Sequence, residues 1–124
     1  MVAPAGGRLC YNLIESRIIS RNKKADMMDS ITVNGLHVDA YGAQNAPVIL
    51  FLHGGGAGAW SWQPVIERLG EFRCLAPDMP EHGRSAAVRP FSIQDAAARM
   101  VELIRSQAPG EKVHVVGLSE GAQV

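Results

Sequence analysis

Residues 112–121 read KVHVVGLSEG, a strand-forming run that passes without a spacer into the pattern Gly-x-Ser-x-Gly. The run is rich in β-branched valine, which predicts a buried strand. A serine on a sharp turn after such a strand has a strained backbone and an exposed hydroxyl, and flanking glycines avoid collisions with neighbouring backbone. The pattern therefore predicts that Ser119 is a nucleophile on a turn shaped by Gly117 and Gly121. The alternative is a plain turn that leaves the strand.

Upstream of this turn, strand and helix signals alternate along the chain. Asn34-Gly35 between two β-prone runs predicts a hairpin. Residues 47–54, PVILFLHG, and residues 72–78, FRCLAPD, predict strands that are buried on both faces. Helices are predicted between the strands over residues 61–69 and 92–107. This order predicts an α/β fold in which an antiparallel hairpin leads a parallel sheet with helical crossovers.

The second predicted helix has a start signal and an apolar face. Ser92 and Asp95 resemble a capping box at its beginning, and Pro109-Gly110 ends it. The residues predicted to form its apolar stripe are Ile93, Ala97, Met100, Val101, Ile104 and Ala108.

Chemically useful residues follow each of the predicted parallel strands, where the active residues of such sheets lie. His53-Gly54-Gly55-Gly56 follows the first strand, DMPEHGRS (residues 78–85) follows the second, and the Ser119 turn follows the third. An acyl-transfer site needs backbone N–H groups that point at the developing oxyanion, and glycines let the backbone approach closely. The N–H groups of Gly55 or Gly56 and of Glu120 are the predicted pair, although a glycine run can also be only a flexible turn.

Taken together, HGGG, DMPEHGRS and GLSEG resemble the α/β-hydrolase fold family over residues 29–124. The resemblance implies hydrolysis of an ester-like or other acyl bond of a small-molecule substrate, through an acyl-enzyme on Ser119 and without metal or organic cofactor. It also implies that Gly55 and Glu120 hold the oxyanion, and that His53 and Gly54 shape the loop without acting as a base. Glu81 departs from the pattern, because the family's loop usually has glycine there, and this predicts an altered turn.

A serine hydroxyl needs a histidine to take its proton and a carboxylate to orient that histidine. In the resembled family both follow the serine along the chain, and neither follows Ser119 here. The sequence therefore predicts a sheet that is truncated at the Ser119 turn. It also predicts that the chain is an inactive fragment of a domain of about 250 residues. His82 is the best local substitute for the base, whereas Asp78 is expected to tie down its own loop. A non-catalytic truncated product or interaction fragment stays open, with self-association through the exposed edge of the last strand.

A minor alternative is a dinucleotide-binding βαβ unit. Gly54-x-Gly56-x-x-Ala59 follows a strand, and Asp78 ends the next strand at a suitable distance for a ribose hydroxyl. Against this, Pro64 lies too deep for a helix that starts at Gly56, and the Ser119 turn is left unexplained.

Composition narrows the function classes further. Twelve basic residues balance twelve acidic ones, which argues against a nucleic acid or an anionic membrane surface as partner. The sequence has no apolar run of about 18 residues, the length of a membrane span. Two isolated cysteines, Cys10 and Cys74, favour a cytoplasmic protein without a disulfide framework.

Residues 1–28 lack strand or helix periodicity and are predicted to form an irregular tail. His37 and His114 are expected to pack within the fold, His114 on a buried strand face.

Overall fold

The computed structural model describes residues 28–124, which contain one five-stranded sheet flanked by helices. Its strands are β1 (Met28–Val33), β2 (Leu36–Tyr41), β3 (Val48–Leu52), β4 (Arg73–Pro77) and β5 (Val113–Gly117). Its α-helices are α1 (Gln63–Ile66) and α2 (Ile93–Gln107), and 3₁₀ turns span Ala59–Trp62, Gly83–Ser85 and Ser119–Ala122. Strand β1 begins at Met28, the last residue of the predicted tail, and the rest of that tail lies outside the described residues.

The strands lie in the order β1-β2-β4-β3-β5. Strand β2 is antiparallel to both β1 and β4, whereas β3 runs parallel to β4 and β5. The β1–β2 turn has two residues with positive φ, Asn34 (49°) and Gly35 (82°), as the hairpin signal requires. The predicted architecture of a leading hairpin followed by parallel strands is confirmed.

The core lies on both faces of β3 and β4, whose residues are all buried. Side chains alternate across the sheet, so Leu50 and Leu75 pack under α2 while Phe51 packs on the opposite face near α1. Burying side chains of this size contributes about 1.5–3 kcal/mol each. This two-sided burial explains why both strands read as continuous apolar runs.

The helices differ from the prediction in their detail. A 3₁₀ turn starts at Ala59, and regular α-helix covers only Gln63–Ile66, with Pro64 in its first turn. In α2 the buried residues are Ala96, Met100 and Leu103, whereas Val101 is 44% exposed. Met100, Ile104 and Ala108 of the predicted stripe do pack in the core, but Val101 was wrongly included and Ala96 and Leu103 were missed. Neighbouring stripes on one helix both satisfy the 3.6-residue period, and only the angle of packing on the sheet selects between them.

Strand β5 forms an edge of the described sheet and pairs only with β3. Its residues His114 to Gly117 are exposed, and Val115 and Val116 keep 53% and 40% of their surface accessible. The expectation that His114 packs on a buried face was wrong, because no described element covers either face of β5 at that point.

Candidate active site

The turn after β5 holds Ser119 in a left-handed conformation, with φ of 53°. Such a φ is costly for a residue with a side chain, so the surrounding structure must hold the backbone in place. The turn is fixed from both sides, because the Leu118 N–H donates to the Leu52 carbonyl (3.1 Å) and the Gly121 N–H donates back to the Leu118 carbonyl (3.0 Å). Ser119 itself is exposed. The serine thus stands at the surface on a backbone anchored to the end of β3.

Two glycines make this turn sterically feasible. A Cβ on Gly121 would lie 2.6 Å from the His53 carbonyl oxygen, and a Cβ on Gly117 would lie 2.7 Å from the Gly121 carbonyl carbon. Real Cβ atoms do not approach backbone atoms so closely. A larger residue at Gly121 would therefore collide with the end of β3, and one at Gly117 would collide with the backbone of the turn itself.

The glycine loop after β3 lies directly against the serine turn. A Cβ on Gly54 would stand 3.6 Å from the Ser119 Cβ, and one on Gly55 would stand 3.2 Å from Oε2 of Glu120. Gly56 turns away with φ of 74°, and a Cβ there would meet nothing within 4 Å. Gly55 is therefore packed against the residue that follows the serine, whereas Gly56 faces open space.

Backbone amides of the glycine loop and of the serine turn are available as hydrogen-bond donors. Among residues 28–124, the N–H groups of Gly55, Gly56 and Glu120 donate to no acceptor. Glu120 lies in the first turn of a 3₁₀ helix, where N–H groups have no partner within the helix. Amides of this kind can bind a developing oxyanion, which is the chemistry that the sequence predicted for them.

His53 is buried and has both ring nitrogens committed to loop contacts. Nδ1–H donates to the Gly54 carbonyl (2.8 Å), and Nε2 accepts the Met79 N–H (3.0 Å). Burial lowers the pKa of His53, and the hydrogen bond to Gly54 only partly opposes this shift. A neutral histidine in this position joins the glycine loop to the loop after β4 and has no nitrogen left to take a proton from Ser119.

Asp78 anchors the loop after β4 from a buried position. Its Oδ1 accepts the Ala59 N–H (2.7 Å), and its Oδ2 accepts both the backbone N–H and Nε–H of Arg84 (3.0 Å each). Burial raises the pKa of Asp78, but the hydrogen bonds from Ala59 and Arg84 outweigh it and hold the pKa below 3.8. The Arg84 guanidinium also binds Asp39 on β2 (2.8 Å).

The same contacts contradict the dinucleotide alternative. Both carboxylate oxygens of Asp78 are occupied inside the protein, so neither can bind a ribose hydroxyl. In addition, the helical turn after the glycine loop starts at Ala59 rather than at Gly56, so the glycines do not open a helix.

Glu81 occupies the loop position where a glycine was expected. Its φ of 63° lies in the left-handed region, so the backbone adopts a glycine-like turn despite the side chain. The carboxylate compensates for part of this cost, since Oε2 accepts the Phe91 N–H at 2.7 Å. The altered turn that the sequence predicted is therefore not seen, because Glu81 has the φ that a glycine would have at this position.

The side chains of His82 and Glu120 meet beside Gly55, which sequence reasoning did not foresee. Nδ1 of His82 lies 2.8 Å from the Pro80 carbonyl oxygen, and Nε2 lies 3.6 Å from Oε2 of Glu120. That oxygen is buried and accepts no hydrogen bond from the described residues. His82 thus faces Glu120, and no side chain of residues 28–124 hydrogen-bonds to the Ser119 hydroxyl.

The aromatic and sulfur side chains near the loops divide between core and surface. Met79 is fully buried, and Trp62 packs on Phe51 with ring centroids 5.1 Å apart. Trp60 is 67% exposed. Within residues 28–124, no three histidine, cysteine, aspartate or glutamate side chains converge as a metal site. No helix in that part of the chain has the length and apolar character needed to cross a bilayer.

Comparison with known proteins gives consistent matches to hydrolases. Residues 47–124 match the family model described as the alpha/beta hydrolase fold. The chain is 43% identical over 79 residues to an esterase of Mycobacterium tuberculosis, a match that covers 62% of this chain and 26% of the esterase. It is 41% identical over 78 residues to an AB hydrolase superfamily protein of Gibberella zeae, covering 61% of this chain and 28% of that protein.

Solved structures agree with these sequence matches. The crystal structure of the Mycobacterium tuberculosis esterase superposes with a TM-score of 0.66 at 32% identity, covering 83% of this chain and 38% of the esterase. A Vigna radiata epoxide hydrolase mutant gives a TM-score of 0.61 at 29% identity, covering 77% and 31% of the two chains. The chain thus corresponds to about a quarter to a third of the length of the curated relatives that it matches.

Proposed function

Because the chain belongs to the α/β-hydrolase fold family, we propose that it carries the nucleophile and the oxyanion donors of a serine hydrolase. The substrate class is a small molecule with an ester-like or other acyl bond. The observation that carries this proposal is the position of Ser119, which is exposed, has a φ of 53° and stands beside amides that donate to no described acceptor. A serine at this position favours acyl chemistry over the epoxide opening named for one structural relative.

In the proposed reaction, the Ser119 Oγ attacks the acyl carbon while a base takes its proton. The carbonyl oxygen becomes an oxyanion, which accepts hydrogen bonds from the N–H groups of Gly55 and Glu120, with Gly56 as the alternative to Gly55. The alcohol leaves with the proton, and water then releases the acid from the acyl-enzyme. Removal of one such donor typically costs about 2.7–4 kcal/mol of transition-state stabilisation.

We propose that residues outside this sequence supply the base and the acid, so that the 124-residue chain alone does not turn over. The support is the absence of any histidine bonded to the Ser119 hydroxyl among residues 28–124 and the partial coverage of the relatives. His82 is oriented towards Glu120 at 3.6 Å, which leaves it poorly placed to act as a substitute.

A chimera tests the proposed nucleophile. Residues 28–124 would replace the matching part of the Mycobacterium tuberculosis esterase, which then provides the rest of the domain. We expect a fluorophosphonate probe to add once to the chimera, as measured by intact-mass spectrometry. Ser119→Ala should abolish the adduct, and Ser106→Ala, a matched control on the exposed side of α2, should retain it. A folded chimera that is labelled equally in the Ser119→Ala variant would contradict the assignment.

The unmodified chain tests its proposed inactivity. We expect no adduct on the folded 124-residue chain under conditions that label the chimera completely. An adduct on Ser119 in the isolated chain would show that a local base, with His82 the first candidate, activates the serine. In that case the nucleophile assignment would stand, and the requirement for residues outside this sequence would be wrong.

A second, non-catalytic proposal concerns β5. Its outer edge has no strand partner among the described residues, and Val115, Val116 and Leu118 are 53%, 40% and 59% exposed beside it. Edges of this kind pair with other chains, so we propose that the isolated chain self-associates through β5. In sedimentation velocity, Val115→Lys should shift the chain towards monomer, whereas Val101→Lys on α2 should not. Equal effects of the two substitutions would contradict association through β5.

A further inference from the structure

We propose that the side chains of Glu120 and His82 form a contact pair between two loops and act together as positioning residues for the oxyanion donors. The catalytic meaning of this pair rests on the proposed function, because the two donors are assigned there. The pair itself rests on side-chain geometry, which can be tested without catalysis.

The Glu120 carboxylate requires a partner. Its Oε2 has no solvent access and accepts no hydrogen bond from the described residues, although 30% of the side chain as a whole is exposed. An unpaired carboxylate oxygen in such a position is costly. Nε2 of His82, at 3.6 Å, lies within ion-pair distance but beyond normal hydrogen-bond length.

The orientation of His82 determines which of its ring atoms faces Glu120. Nδ1 lies 2.8 Å from the Pro80 carbonyl oxygen, which can only accept, so Nδ1 carries a hydrogen. Nε2 is therefore the ring nitrogen that is turned towards Oε2 of Glu120.

The other polar side chains around the pair are already hydrogen-bonded. The His53 ring contacts His82 edge-on at 5.0 Å, and both of its nitrogens are bonded to loop backbone. The Asp78 carboxylate accepts hydrogen bonds from Ala59 and Arg84. Phe91 also contacts His82, with ring centroids 5.8 Å apart. Nε2 of His82 is accordingly the side-chain partner that this environment leaves for Glu120.

The pair connects the three loops of the candidate site. Glu120 belongs to the serine turn and His82 to the loop after β4, while Oε2 of Glu120 lies 3.2 Å from the position of a Cβ on Gly55. Glu120 thus lies between His82 on one side and Gly55 on the other, and Gly55 and Glu120 are the two residues whose N–H groups are proposed to bind the oxyanion.

A double-mutant cycle on the 124-residue chain tests the pair. His82→Asn keeps a donor for the Pro80 carbonyl but removes Nε2. Glu120→Ala removes the carboxylate and therefore the contact with Nε2. We expect His82→Asn to lower the folding equilibrium constant at least about threefold more in the wild-type background than in the Glu120→Ala background. His114→Asn, at an exposed position on β5, is the matched control and should show no such coupling.

Amide resonances report on the proposed positioning role. The N–H signals of Gly55 and Glu120 in a ¹⁵N correlation spectrum should shift in His82→Asn and stay in place in His114→Asn. Additive stabilities together with unshifted amides would overturn the proposal. If His82→Asn does not fold, Glu120→Ala alone decides, because the His82 Nε2 resonance must move if the pair exists and stays unchanged if it does not. Labelling of Ser119 enters none of these measurements, so the proposed function and the pair can fail separately.

Discussion

Replacing Asp78 with asparagine should destabilise the fold far more than an isosteric change normally does. Asparagine can still accept the Ala59 N–H through its oxygen, but its amide group would point at the two Arg84 donors that Oδ2 accepts at 3.0 Å. Hydrogen bonds to a charged group contribute about 1.5–3 kcal/mol each, and a buried donor left without a partner adds a desolvation cost. The Arg84 side chain is 49% exposed and can recover water at Nε, which reduces the loss. The expected decrease in the free energy of unfolding is therefore about 2–4 kcal/mol.

Equilibrium urea unfolding measures this difference, and Asp95→Asn provides the matched control. The Asp95 carboxylate pairs with Arg99 at 2.7 Å on the surface of α2 and is 41% exposed, so the same chemical change should cost less than about 1 kcal/mol there. If Asp78→Asn were no more destabilising than Asp95→Asn, the anchoring role of Asp78 would be refuted.

The effect of Asp78 should also depend on pH in a defined direction. Its folded-state pKa lies below the ordinary value of 3.8, so the stabilisation is fully present above that value and is lost as the pH falls through the folded-state pKa. The stability gap between the wild type and Asp78→Asn should therefore narrow below about pH 3.8. The lowered pKa of His53 also weakens the fold in acid in both proteins. Because the Asp78 charge raises the pKa of His53, this acid loss is somewhat larger in Asp78→Asn and widens the gap before Asp78 itself is protonated. A gap that stayed constant down to pH 2 would contradict an ionised Asp78.

Three further substitutions or reactions probe separate features. Gly121→Ala should lower the free energy of unfolding by at least about 3 kcal/mol in urea, because its Cβ would collide with the backbone of β3. The control Gly110→Ala adds only the strain of a side chain at a φ of 75° and should lower it by about 1–2 kcal/mol. Similar losses for the two variants would contradict the steric account. Ser92→Ala should lower the free energy of unfolding by about 1 kcal/mol in the same assay, because Ser92 Oγ caps α2 by accepting the Asp95 N–H at 3.0 Å. An unchanged unfolding midpoint would exclude that role. Burial raises the pKa of the Cys74 thiol to about 11. Iodoacetamide at pH 8 should therefore modify Cys74 only after unfolding, as followed by peptide mass spectrometry. Rapid modification of the native chain would contradict the burial of Cys74.

The sequence predicted those elements whose local signals agree with their tertiary surroundings. Asn34-Gly35 strongly favours a tight hairpin turn. The continuous apolar sequences of β3 and β4 are typical of strands that are buried on both faces. The Ser92 cap likewise placed the start of α2 correctly. In each case the determining interaction lies within a few residues of the signal, so knowledge of the neighbouring elements was not required.

The features that were missed depend on contacts between distant segments. The face of α2 is decided by its packing on the sheet, so periodicity could not choose between Val101 and Leu103 as the buried residue. His114 follows the alternation of a buried strand, but exposure depends on which elements cover β5. The contact between His82 and Glu120 arises where two loops meet, 38 positions apart in numbering, and no local signal of either residue indicates it.

The strand order has a consequence for the chain as it is being made. Strand β3 lies between β4 and β5, so Val48 must pair both with Arg73 and with Val113. When β4 has left the ribosome, residues 78–117 must still emerge before β5 can add to the open side of β3. At about 5–20 residues per second this takes a few seconds. During that interval the apolar strand β3 is an unprotected edge in the nascent chain, and chaperone binding at this stage would protect it until Val113–Gly117 arrives.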